Sequence, residues 1–128
     1  MAENYLIDSN VLIDFLADKL PQKGAEFVSK ILEESFHISV ISYVEVLGFN
    51  EKVEKQRALE DFMSMAEVFF VDEKVAKQTV KLRKQTKLKL PDAFIAATAI
   101  VNDFTLITRN EKDFGRITQV KIINPYEL

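Results

Sequence analysis

Carboxylates stand at unexpected places in four segments of this sequence. Asp8 ends the apolar run Tyr5-Leu6-Ile7, and Glu45 lies inside ISYVEVLGF between Val44 and Val46. Asp92 opens LPDAFIAATAIV, in which Thr98 is the one polar residue from Ala93 to Val101. LITRNEKDF carries Asn110 and Asp113. Each has a local explanation. Asp8 or Ser9 can cap a helix that begins near Asn10. Ser42 to Glu45 fits the S-x-x-E capping box, and Thr108 to Glu111 fits its threonine form. Asp92 follows Pro91, a residue suited to the first helical position, where a carboxylate gains about 0.3–1 kcal/mol from the helix dipole. Asp14, on the helix after Asp8, reads as solvated.

Taken together, these groups point to chemistry. Two carboxylates 4 Å apart repel by about 4 kcal/mol at an effective dielectric of about 20. Three or four in one cleft therefore stay ionised only with a cation among them. Oxygen ligands without cysteine or clustered histidine select a hard ion, Mg²⁺ or Mn²⁺. Such an ion completes its shell with an anionic substrate, most simply a phosphate.

The elements that must bring these groups together are short apolar strands alternating with helices. Strands are expected at Tyr5–Ile7, His37–Val40, Val68–Val71, Phe104–Ile107 and Val120–Ile123. Helices are expected through Val11–Leu16, over 23–35, from Ser42 through Phe49, over Val53–Met65, over 73–86, and from Pro91. This alternation predicts an α/β protein, a three-layer α/β/α sandwich around a mostly parallel sheet of four or five strands. In such a sheet, strand ends and the starts of the following helices share one edge, where ligands collect. The 128 residues are expected to form a single domain, 1–128, without internal repeats.

Composition removes other chemistries. The chain has no cysteine, which excludes disulfides and thiolate metal sites and fits a reducing cytoplasm. Gly24, Gly48 and Gly115 form neither GxGxxG nor a P-loop, and no GxSxG occurs. His37, the sole histidine, lies in an apolar strand and reads as structural. An aspartyl phosphatase would want a second Asp two residues after the first, and Asn10 stands there. No apolar run reaches the length of about 18 residues that a membrane span requires, and MAENYLID shows no basic leader.

The net charge of −3 hides an uneven distribution. Residues 74–89, KVAKQTVKLRKQTKLK, carry seven basic residues and no acidic one, and lead directly to Asp92. Lys74, Lys77, Lys81 and Lys84 recur at helical spacing, with Val75, Thr79 and Leu82 on another face. That is the pattern of a solvated amphipathic helix, and equally of a surface that holds phosphates.

YLIDSNVLIDFL, ISYVEVLGF, LPDAFIAATAI and LITRNEKDFGRI, in this order, resemble the motifs of PIN-domain ribonucleases. The chain is most similar to the VapC-type toxins of bacterial toxin–antitoxin pairs, and VKIINPYEL resembles their last strand and tail. The resemblance implies a Mg²⁺- or Mn²⁺-dependent endoribonuclease that hydrolyses RNA phosphodiester bonds and leaves a 5′-phosphate. It assigns Asp8 and Asp92 as metal ligands, Glu45 as a ligand or the orienter of the attacking water, and Ser9 and Asn10 as supporting residues. It also implies a cytoplasmic homodimer, a small antitoxin partner and no membrane. The family's fourth acid is replaced here by Asn110, which weakens any second metal site. Asp113, one helical turn on, can compensate, so one firmly held ion is expected and a second stays open. The alternative is an inactive RNA- or protein-binding module of the same fold.

Overall fold

The computed structural model describes residues 4–48 and 50–128, and among these it contains five strands and seven helices. In chain order they are β1 (Tyr5–Ile7), α1 (Ser9–Leu16), α2 (Gln22–Glu34), β2 (His37–Ser39), α3 (Val40–Leu47), α4 (Val53–Met63), β3 (Glu67–Phe69), α5 (Glu73–Gln85), α6 (Leu90–Asn102), β4 (Thr105–Ile107), α7 (Glu111–Phe114) and β5 (Ile122–Ile123). Every strand pairing is parallel. β1, β4 and β5 form a group of three with β4 in the middle, and β2 pairs with β3. The pair lies against β1, where His37 Nδ1 is 3.3 Å from the Tyr5 carbonyl oxygen. His37 also stacks on Phe104 at 4.9 Å between ring centroids, in keeping with a structural role.

Alternation along the two central strands builds the layers. Leu6 and Leu106 are paired in register and point to one face, where they meet Val75 and Leu82 of α5 and Ala93, Ala96 and Ala97 of α6. Ile7 and Ile107, one residue on, point to the other face and meet Val11, Val28, Ile31, Val46 and Met63 of α1 to α4. A strand that buries both faces reads as a continuous apolar run, and helices on each side make three layers. The alanines of α6 let it lie close to its neighbours, and five of its residues are fully or almost fully buried from Ile95 to Ala99. Gly24 serves a similar end on the opposite face. A Cβ there would stand 1.9 Å from the Pro125 carbonyl oxygen, so α2 can touch the C-terminal tail only with glycine at this position.

Two local expectations are corrected. α3 begins at Val40 rather than Ser42, because Ser39 is its cap and accepts from the Ile41 N–H at 3.1 Å. The capping-box explanation of Glu45 thereby falls, since Glu45 lies in the second turn. The Phe49 end of that expected helix is outside the described residues. LITRNEKDF also contains a short helix, α7, whose cap is Asn110 rather than Thr108. Among the described residues no helix is long and apolar enough to cross a membrane.

Candidate functional site

Strand register places the first two side chains. Ile7 and Ile107 are partners, so the residues that follow them, Asp8 and Thr108, leave the sheet side by side at its carboxyl edge. The Asp8 N–H donates to the Ile107 carbonyl at 2.9 Å, and the Thr108 N–H donates to the Ile123 carbonyl at 3.1 Å. Thr108 Oγ1 donates to Asp8 Oδ2 at 2.8 Å, while the Ser9 N–H donates to Asp8 Oδ1 at 2.8 Å. Asp8, a residue only 5% exposed, thus caps α1, and its carboxyl group is held from both sides.

Ser9 extends the arrangement to α3. Its hydroxyl donates to Glu45 Oε1 at 2.6 Å, so one residue bonds both the Asp8 carboxyl, through its N–H, and the Glu45 carboxylate, through its side chain. Ser42, also on α3, is buried with no partner for its hydroxyl among the described residues. Asn10 is exposed beside Ser9 at the start of α1.

Asp92 enters from the first turn of α6, behind Leu90 and Pro91. Burial, the largest cause, and the charges of Asp8, Asp113 and Glu45 push its carboxyl up to about 6, with Lys89 pulling the other way. The Asp8 carboxyl is also raised, chiefly by burial and in small part by Glu45, against the hydrogen bonds from Thr108 and Ser9. Acids from four separated segments therefore act on one another. The structure brings Asp8, Glu45, Asp92 and Asp113 to one edge.

Asn110 is used within its own turn. Its Oδ1 accepts from the Asp113 N–H at 3.2 Å, and its Nδ2 donates to Asp113 Oδ2 at 3.0 Å. Asp113, rather than Asn110, is the acid at this corner whose charge reaches Asp92.

Among the described residues, no three acidic or imidazole side chains stand close enough to form a ready metal cage. The donor chemistry nonetheless fits a hard cation. All candidate donors are oxygens, two of the carboxyls are raised in part by their acidic neighbours, and exposed Glu45 and Asp113 sit at helix positions where rotamers can change.

Two features escape sequence patterning. Thr108 bonds Asp8 and also accepts the Asn110 N–H at 3.0 Å, so a residue read as a possible cap orients the acid. Its only prior signal is its place after β4, matching that of Asp8 after β1. Asp14 is corrected as well. It is partly buried, accepts from the Tyr126 hydroxyl and lies 3.6 Å from Arg109 Nη1. The Arg109 guanidinium sits 5.2 Å from the Tyr126 ring centroid, closing a cluster that ties the tail to α1. Burial, followed by the bond to Asp14, pushes the Tyr126 phenol up.

Known proteins share this sequence pattern and this fold. The family profile described as PIN domain matches residues 5–120. A protein named ribonuclease VapC1 from Haemophilus influenzae is 30% identical over 127 residues, covering 91% of this chain and 94% of its own. Ribonuclease VapC1 of Methanocaldococcus jannaschii is 28% identical over 120 residues, covering 89% and 81%. In a toxin–antitoxin complex from Klebsiella pneumoniae, one chain superposes with a TM-score of 0.78 at 34% identity, over 98% of this chain and 100% of that one. A profile spanning nearly the whole chain, joined to the 30% identity with ribonuclease VapC1, carries one conclusion: the chain belongs to the PIN-domain family and stands among its VapC-type members.

Proposed function

We propose that this protein is a divalent-metal-dependent endoribonuclease, the toxin of a VapBC-type pair. The observation that carries the proposal is the setting of Asp8, a buried carboxyl fixed by Thr108 and Ser9 and facing the charges of Glu45 and Asp92. Asp8, Asp92 and Glu45 would hold one Mg²⁺ or Mn²⁺. Bound there, the ion would supply Lewis acidity toward a phosphoryl oxygen and a nucleophilic water at neutral pH.

The chain's own groups set the rest. Thr108 and the Ser9 N–H fix the Asp8 oxygens, so that group needs no rearrangement on binding. Ser9 Oγ donates to Glu45 Oε1, which supports Glu45 as a ligand or as the orienter of the attacking water. Asp113 supplies the fourth negative charge, and Asn110 holds it through two hydrogen bonds. This placement of Asp113 supports an active enzyme over an inactive module of the same fold.

A small antitoxin is the expected protein partner. An apolar groove of about 430 Å³ between α1, α3 and α4, lined by Ile13, Leu16, Val46 and Leu59, suits the apolar face of a partner helix. A cytoplasmic homodimer is also expected, and light scattering of the purified protein tests its mass.

Purified protein incubated with RNA and Mg²⁺ or Mn²⁺ should yield fragments with 5′-phosphates, and a chelator should stop the reaction. Asp8→Ala should lose about a hundred- to a thousandfold in rate. Cleavage that persists in chelator, or an equally active Asp8→Ala protein, would refute the proposal.

A further inference from the structure

Beside the carboxylates the fold builds a second, oppositely charged hollow. The turn between α5 and α6 closes a pocket of about 440 Å³ lined by Lys84, Lys87, Thr86, Leu88 and, from the far wall, Asp113 and Arg116. Asp113 belongs to both regions, since its charge also acts on Asp92. The hollow therefore continues the acidic cleft.

This turn is built rather than loose. Arg83 Nη1 donates to the Leu88 carbonyl at 2.7 Å, Thr86 Oγ1 donates to the Leu82 carbonyl at 2.7 Å, and the Leu88 N–H donates to Thr86 Oγ1 at 3.3 Å. Leu88 is buried and anchors the segment in the core. Arg83 is thus spent on architecture, whereas Lys84, Lys87 and Arg116 form no ion pair among the described residues. The opposite end of the basic segment differs. Lys77 pairs with Glu73 at 2.7 Å, and the hollow near it contains Asp72 and Glu73.

We propose that Lys84, Lys87 and Arg116 form a phosphate-binding subsite that holds the RNA strand next to the bond being cut, and that Lys74 and Lys77 take no part. The proposal rests on the nuclease reading for its ligand. Three cations from two chain segments, Lys84 and Lys87 from one and Arg116 from the other, converge on this hollow and match a polyanionic backbone, whose phosphates are held without regard to base. Arg116 can grip a phosphate through two N–H groups, and the lysines act as point charges.

The test is binding of a short, end-labelled single-stranded RNA, followed by fluorescence anisotropy in chelator over a range of NaCl. The triple variant Lys84→Gln, Lys87→Gln, Arg116→Gln should bind on the order of tenfold more weakly, with a log–log salt slope smaller by about 2, or about 0.7 for each phosphate no longer neutralised. Lys74→Gln with Lys77→Gln should stay within about twofold of wild type. Unchanged affinity and slope in the triple variant, an equal loss in the double variant, or no RNA binding by wild type would each overturn the subsite. So would weakened binding of a labelled poly-glutamate probe with RNA binding unchanged, which would point to an acidic peptide. Cleavage with Mg²⁺ is read separately on the same proteins. A wild type that binds with the expected slope yet cuts nothing defeats the nuclease reading and leaves the subsite standing. A wild type that cuts, beside a triple variant that binds as tightly, defeats the subsite alone.

Discussion

Asp8 and Asp92 face the same cleft but are held in opposite ways. Asp8 is buried, and each of its oxygens accepts a hydrogen bond, one from a backbone N–H and one from the Thr108 hydroxyl. Asp92 is half-buried and has no hydrogen bond to its carboxyl among the described residues, and burial together with the neighbouring acids lifts it to about 6. The first group is fixed by hydrogen bonds, whereas the second is set by burial and by the acids around it. A site made only of the first kind would be rigid but not responsive to a cation. One made only of the second would lack a fixed point. Coordination of a hard ion benefits from both, a preset oxygen and an acid that becomes fully ionised as the ion arrives.

The sharpest way to break this contrast is Thr108→Val, which keeps the shape and removes both the donor to Asp8 and the acceptor for the Asn110 N–H. Thermal or urea unfolding should show a loss of about 1–3 kcal/mol. Cleavage should fall about 10- to 100-fold, as it does when an orienting partner of a ligand is removed. A variant that melts and cuts like wild type would mean that Asp8 is not held by this bond.

Asp92→Asn probes the other side, with a smaller effect on stability. The Asp92 carboxyl is raised above its ordinary value by folding, so the native protein binds more protons than the unfolded chain between pH values of about 4 and 6. In metal-free buffer its contribution to stability therefore falls as pH rises through that window and stays low above it. The variant should match wild type near pH 4 and exceed it at pH 7 by on the order of 1 kcal/mol, after discounting for solvent screening. Its cleavage activity should vanish. A stability difference that does not change between those pH values would show that burial and the neighbouring acids do not raise Asp92.

The mildest change is Asn110→Asp. The new carboxylate still caps α7 but loses the amide that donates to Asp113, so metal-free stability should drop by less than about 1 kcal/mol. Activity should hold or rise through the added ligand charge. A large loss would assign Asn110 a task beyond holding Asp113.

How much of this was legible in the sequence depends on the distance over which each feature is decided. The runs Tyr5–Ile7 and Ala93–Val101 announced their elements because burial on all sides leaves an unbroken apolar signature. The basic helix expected over 73–86 forms over Glu73–Gln85, with Val75, Thr79 and Leu82 inward as their spacing indicated. Strand ends were less readable. The run Val120–Ile123 supplies a ladder only at Ile122 and Ile123, because the register with Leu106 and Ile107 ends there. At α3, Ser39 and Ser42 offer equivalent local caps, and the pairing of Ser39 with Phe69 of β3 fixes where the strand stops and the helix starts. The candidate acids stood out as charges in apolar surroundings, which is a local signal. Thr108 and Asp14 did not, because their partners lie 100 and 112 residues away in the chain and no periodicity links them.

The most direct measurement is calorimetric titration of Mn²⁺ into the protein at pH 6, in two buffers of different ionisation enthalpy. If the acids gather around a cation, binding should release on the order of half a proton per ion at pH 6 and almost none at pH 8, because Asp92 is then already ionised. Asp92→Asn should bind more weakly and release fewer protons than wild type at pH 6. Absence of Mn²⁺ binding, or proton release that is the same in the variant, would contradict a metal site built on Asp8 and Asp92.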